Sequence, residues 1–276
     1  MKTVSTVAEL QALADAGTLA GLYDVPNDIY HAGPGVSSSG LKDLLRSPAH
    51  YAERRANPKS SAAMRTGSVV HTLALEPHKF ETDYVVADCL SQTAKAFETA
   101  KALNPGKTVV CRNEAEDGHA IASALISNGL ACNVLRSPGG RSELSVFWTD
   151  DETGILCKAR ADRLVSGTIV DIKTTQDARL QKFQRAIVDF RYHLSAAFYT
   201  DGFSKVIGEE HGFAWVVAES ERPHGIAFYG ADNELIAKGR EEYKTALRIY
   251  RDNAATKFSA SYPETFVNLS LPGWYV

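Results

Sequence analysis

Two β-rich runs joined by Ser166-Gly167 constrain this chain more than any other feature. The stretch reads Lys158-Ala-Arg-Ala-Asp162-Arg-Leu-Val-Ser-Gly-Thr-Ile-Val-Asp171-Ile-Lys173-Thr-Thr. Ser-Gly belongs to a favoured class of dipeptide for a two-residue hairpin turn, which sets Val165 opposite Thr168. Counting back sets Asp162 opposite Asp171, and Arg160 opposite Lys173 on the same face. Residues opposed in this way have Cβ atoms about 5 Å apart, and like charges there destabilise a hairpin. A cation between the carboxylates removes the conflict, and oxygen donors favour a hard ion such as Mg²⁺ or Mn²⁺. Two exposed aspartates satisfied by Arg160, Arg163 and water fit the same register. Asp171 and Lys173 share a strand face, so an ammonium sits beside the metal. That grouping suits phosphodiester hydrolysis, with the lysine orienting the nucleophile or stabilising developing charge.

The rest of the chain surrounds these strands with helices. Thr6 and Glu9 have capping-box spacing, and residues 6–16 read as a helix ending at Gly17. Asp24–Gly35 reads as a loop. Ser37–Gly40 opens a short helix that stops before Pro48, and a second runs to Asn57-Pro58. Residues 62–75, 91–103 and 113–128 are helical in pattern. Glu143–Thr149, Ile155–Val165 and Thr168–Thr174 form a three-stranded meander. Helical pattern returns from Asp177 to about Val206 with a break near Phe190. Strands follow at Phe213–Ala218 and Gly225–Tyr229, then a helix from Glu234 to Phe258. The order predicts one α/β domain over 1–276: a helical part at 1–60, a core at 61–230, and a final helix with tail at 231–276.

Composition excludes several classes. The 276 residues are 44% hydrophobic and 23% charged, ordinary for a globular protein. No apolar run nears the roughly 18 residues of a membrane span, and the N-terminus lacks a secretion signal, so a cytoplasmic protein without membrane contact is expected. Cys89, Cys111, Cys132 and Cys157 form no CxxC pair, which argues against zinc ribbons and iron–sulfur clusters; they read as free thiols in or near the core. Net charge is −3, yet Leu41–Arg65 carries Lys42, Arg46, Arg54, Arg55, Lys59 and Arg65 against Asp43 and Glu53. That segment fits either a solvated surface or contacts to a nucleic-acid backbone. Ser37–Ser39 fit either an ordinary helix cap or a phosphate cradle at a helix N-terminus. His71, on an apolar helix one turn after Gly67, fits either a core histidine or a ligand. Trp148, Trp215 and Trp274 read as core or interface packing.

Asp162 with Asp171-Ile172-Lys173 resembles the PD-(D/E)XK nuclease signature. The chain is similar more specifically to the RecE-type (exonuclease VIII-like) phage and prophage recombination exonucleases. The segments that carry this are Tyr30-His31-Ala32, Ser37–Lys42, Ser47–Tyr51, Gly67–His71 with Leu75-Glu76-Pro77, Ser142–Ser145, Cys157–Asp162 and Ala196–Tyr199. Together they span residues 30 to about 205.

The resemblance implies a restriction-endonuclease-like fold, with a central mixed sheet flanked by helices. It implies metal ligands His71, Asp162, Asp171 and the Ile172 carbonyl, a catalytic Lys173, and Glu143 as an acidic residue near the site. Two Mg²⁺ ions per site are implied, with Mn²⁺ substituting. Tyr199 matches the tyrosine of a glutamine–tyrosine motif, although Ser195 stands where the glutamine is usual. Ser37, Ser39, Arg46, His50, Arg54, Arg65, Arg160 and Tyr199 are then candidates for DNA contact. The implied activity is processive 5′→3′ digestion of one strand of linear duplex DNA. A homo-oligomeric ring and a single-strand annealing protein of the RecT or Bet type are the implied partners. An endonuclease on the same fold predicts cutting of closed circles, and a silent end-binding module predicts binding without turnover.

Overall fold

The computed structural model describes residues 1–271. Strand β1 (Lys2–Thr3) leads into α1 (Val7–Asp15), where Thr6 and Glu9 close the expected capping box. Gly17, at φ +67°, turns the chain out of that helix. β2 (Gly21–Asp24) follows, and α2 (Asn27–Ala32) occupies a region expected to be a loop. The correction has a non-local cause: the Lys158 ammonium donates to the carbonyls of Tyr30 and Gly33, each at 2.7 Å, and so closes the end of a six-residue helix.

Serine caps then start three helices. Ser37 caps α3 (Ser38–Arg46), Ser47 caps α4 (Pro48–Ala56) and Ser61 caps α5 (Ala62–Leu75). The short α6 (Phe80–Asp83) precedes β3 (Tyr84–Ala87), which pairs in parallel with β4 (Thr108–Cys111) across α7 (Lys95–Leu103). Sequence periodicity missed this small sheet, because four-residue strands show too little alternation. α8 (Arg112–Ser127) and α9 (Gly129–Arg136) follow. Gly118 on α8 faces Val69 so closely that a β-carbon there has no room, which seats α5 firmly. Gly67 lacks that role, since a β-carbon there would meet only Thr174 at 3.8 Å.

The expected meander is present as β5 (Arg141–Thr149), β6 (Leu156–Val165) and β7 (Thr168–Thr175). Arg191, at φ +49°, separates α10 (Leu180–Asp189) from α11 (Tyr192–Ile207), close to the predicted break. β8 (Gly212–Glu219), β9 (Ile226–Gly230) and α12 (Asn233–Asn253) complete the order.

Seven strands form one mixed sheet, β1-β2-β5-β6-β7-β8-β9, with β1/β2 and β7/β8 parallel. One face buries Leu144, Ala161, Ile169 and Trp215 against Leu41 of α3, Phe198 of α11 and Leu247 of α12. The other buries Val170, Ile172 and Val216 against Val70 of α5 and Ile121 and Leu125 of α8. Each such valine, leucine, isoleucine or phenylalanine, fully buried, contributes roughly 1.5–3 kcal/mol. Trp148 and Trp215 lie in the core as expected; Trp274 lies outside the described residues. All four cysteines are free thiols, two of them buried. Among the described residues no single helix is long and apolar enough to cross a membrane.

Candidate active site

The site forms where the sheet comes apart. Ser166 and Gly167 both have positive φ (+48° and +74°), the pattern of the tight hairpin turn whose twist suits its strands. The ladder runs Val165↔Thr168, Leu164↔Ile169 and Arg163↔Val170, then stops one pair before Asp162 and Asp171. The turn register was therefore right and its extrapolation wrong. In place of a ladder bond, the Ile172 N–H donates to Asp162 Oδ2 at 2.7 Å. The β5–β6 ladder lapses at the same level: Ser142↔Arg163 and Leu144↔Ala161 pair, while Glu143 takes a left-handed conformation at φ +49°. A left-handed non-glycine residue costs roughly 1–2 kcal/mol.

Groups from both layers meet in this gap. Strand alternation puts Asp171 and Lys173 on the α3–α11 face, while His71 arrives from α5 on the other. His71 Nε2 donates to the Ile172 carbonyl at 3.1 Å, and its Nδ1 lies 3.4 Å from Asp162 Oδ2. Lys173 forms an ion pair with Asp171. Burial opposes the His71 imidazolium, but the Asp162 carboxylate outweighs it and raises the group to about 9. Burial, then repulsion from Asp162, lifts Glu143 to about 7. Burial also raises Asp171, despite Lys173 beside it. Asp162 is lowered: His71, Lys173 and the Ile172 N–H overcome its burial. Lys173 is raised because Asp171 and Asp162 outweigh its burial, so it stays an ammonium at neutral pH.

A divalent ion fits this donor set. One ligand atom each from His71, Glu143 and Asp162 lies within 4.8 Å of the others, giving one nitrogen and two hard oxygens. The Ile172 carbonyl is adjacent through its bond to His71. Asp171, expected among the ligands, lies outside that tight trio. Its buried Oδ2 meets the Lys173 ammonium and no hydrogen-bond donor besides.

The candidate DNA contacts divide. Arg46 and Arg54 are exposed, with Arg54 only 3.8 Å from Asp43. Ser37 caps α3 and sits 3.3 Å from the Ser39 hydroxyl. His50 Nδ1 lies 2.6 Å from Ser47 Oγ. Tyr199 is half-buried beside Ser38 and the two aspartates, and burial pushes its phenol well up.

Two expected contacts are corrected. Arg65 is buried, gripping Glu114 through Nε (2.8 Å) and NH2 (2.5 Å), with NH1 on Gln92 at 2.9 Å. Arg160 is also buried, and it does not oppose Lys173. It donates to Ser145 Oγ (3.0 Å) and the Val25 carbonyl (2.7 Å), lies over the Tyr30 ring at 4.2 Å, and stands 3.9 Å from Glu143. It positions that acid, and each of its three nitrogens already donates within the protein, NH1 to Asn27 at 3.3 Å.

Lys42 and Tyr192 flank Lys173 and were missed as site residues. Lys42 had two signals, its place in the resembling Ser37–Lys42 segment and in the basic Leu41–Arg65 stretch, and Tyr192 had none.

A family model described as a PDDEXK-like domain of unknown function (DUF3799) matches residues 37–265. The chain belongs to that family. As a DUF3799 domain it holds its acidic residues and lysine where the central strands part. A solved structure from Eubacterium rectale, provisionally named an exonuclease, matches with TM-score 0.57 at 16% identity over 80% of this chain and 82% of its own. At that identity the likeness is one of fold. A phage-related exonuclease from Haemophilus somnus 129PT matches at 14% identity and TM-score 0.34, over 80% of the DUF3799 chain and 96% of its own. No curated protein matches the sequence.

Proposed function

We propose that this DUF3799 protein is a Mg²⁺-dependent exodeoxyribonuclease that digests one strand of linear duplex DNA. The observation that carries the reading is the convergence of His71, Glu143 and Asp162 on one point, with the Asp171–Lys173 pair alongside. Like charges buried together are costly without a cation. A divalent ion held there supplies Lewis-acid activation of water and neutralises phosphate charge. Asp162 ties the centre to the strand through the Ile172 N–H, and Arg160 holds Glu143 in reach. Lys173, an ammonium at neutral pH, stabilises charge developing on the phosphate and does not act as a base. Ser37, Ser39, Arg46, His50, Arg54 and Tyr199 are the proposed DNA contacts.

The finer features follow from the RecE-type resemblance. They are 5′→3′ polarity, processivity, 3′ tails passed to a single-strand annealing protein, and a homo-oligomeric ring. A ring focuses the modest basic segment at α3–α4 onto a central channel, which suits a chain of net charge −3. Digestion of end-labelled linear duplex and closed circular DNA, in Mg²⁺ or EDTA, tests the reading. Mg²⁺-dependent loss of linear DNA alone, abolished in Asp171→Ala and Lys173→Ala, is expected. Equal cutting of circles establishes an endonuclease instead, and binding without digestion a silent module.

A further inference from the structure

Lys42 has no evident structural purpose. Leu41 and Leu44 are buried in the core and fix the rotation of α3, which turns Lys42 toward β7 and the start of α11. Its ammonium lies 5.4 Å from the centroid of the Tyr192 ring, and the Lys173 ammonium lies 5.2 Å from the same centroid. The ring itself is held firmly. The left-handed residue Arg191 turns the chain into α11, Phe190 stacks on Tyr192 at 5.6 Å, and Phe183 packs at 6.1 Å.

The charges around Lys42 leave it unmatched. Lys173 and Asp171 face it from β7, Arg191 from the α10–α11 junction and Asp43 from its own helix. Asp171 is committed to Lys173, Asp43 lies toward Arg54 at 3.8 Å, and Arg191 is held by Glu242 at 2.6 Å. Lys42 forms no ion pair among the described residues. Burial, then repulsion from Lys173, drives it down to about 7. A half-buried ammonium without a counter-anion is costly, unless an anion arrives during function.

The geometry points to Lys42 as a second catalytic cation: it contacts the scissile phosphate from the α3 side while Lys173 contacts it from the strand, with the Tyr192 ring spacing the two. This inference rests on the nuclease reading above and adds a substrate-touching residue to it. Lys42→Met and Lys42→Arg of the full chain are compared with wild type, using end-labelled linear duplex in Mg²⁺ between pH 6 and 9. Lys42→Met is expected to lower kcat about 100-fold, in line with loss of one charge-stabilising donor. Its KM should stay within a few-fold, and its thermal unfolding should be unchanged or slightly raised. Lys42→Arg should keep at least a tenth of the rate. Wild-type kcat/KM should fall on the alkaline side as the lysine loses its proton, and Lys42→Arg should lack that limb. A purely structural lysine gives neither the arginine rescue nor the altered pH profile. Wild-type rates in Lys42→Met, or equal loss in both variants with folding intact, overturn the assignment. A wild-type protein inert on DNA in both Mg²⁺ and Mn²⁺ overturns the nuclease reading, and this assignment with it.

Discussion

Helix α5 buries charge at both ends and resolves it in opposite ways. Near its start, Arg65 meets Glu114 through two parallel hydrogen bonds, with Gln92 taking a third donor. The pair is closed, and Arg65 holds Glu114 below the usual carboxylate range against its own burial. Six residues on, His71 enters a group in which acids outnumber bases and Glu143 is pushed up to about 7. One end of the helix is finished on folding, and the other is left for a cation to complete. Buried charge therefore signals function here where the acids outnumber the bases beside them.

The contrast can be broken at either end. The largest effect is expected at the open one. Asp162→Ala should lose roughly 10³–10⁴-fold of DNA digestion, in the range seen when a member of a catalytic unit is removed. Thermal unfolding of the metal-free variant should fall modestly, because the Ile172 N–H and the His71 imidazolium lose their acceptor. A loss of fold would show Asp162 to be structural.

At the closed end, Glu114→Ala should cost about 3–5 kcal/mol in urea unfolding, because it strands a buried guanidinium. Activity per folded molecule should stay near wild type. A smaller cost would place Arg65 among the solvated cations after all.

Proton linkage separates the ends further. The folded value of Glu143, about 7, lies above its ordinary 4.5. Its stabilising contribution is thus complete below about 4.5 and is lost as pH rises through about 7. Metal-free protein should lose roughly 1–3 kcal/mol of stability over that window, and Glu143→Gln should flatten the change. Glu114 acts in the opposite sense: its depressed value gives stability present above the ordinary range and lost in acid. Mg²⁺ at ten times its dissociation constant should then add about 1.4 kcal/mol at pH 8. The gain should vanish in Asp162→Ala and persist in Glu114→Ala. Equal gains in both would place the ion elsewhere.

What was legible in the sequence follows the range of the interactions. The Thr6–Glu9 capping box, the Ser37 cap and the Ser166–Gly167 turn act within a few residues, and each was readable. The partner of Arg65 lies 49 positions away and that of Lys158 more than 120, so a buried arginine read as a DNA contact and a tethered helix as a loop. The hairpin gave the meeting of Asp162 with the Asp171 strand. It could not give the parting of that strand, because the cause lies partly on β5, in the left-handed Glu143. Tyr192 reaches the site only through the turn at Arg191, which the sequence marked as a break without its direction.

The hydrogen bond from the Ile172 amide to Asp162 makes that amide a built-in spectroscopic probe. Its proton resonance reports electron density on the carboxylate, so ion binding should move it while neighbouring ladder amides hold still. Metal affinity becomes readable, site by site and without substrate, from one peak in an ¹⁵N-labelled sample.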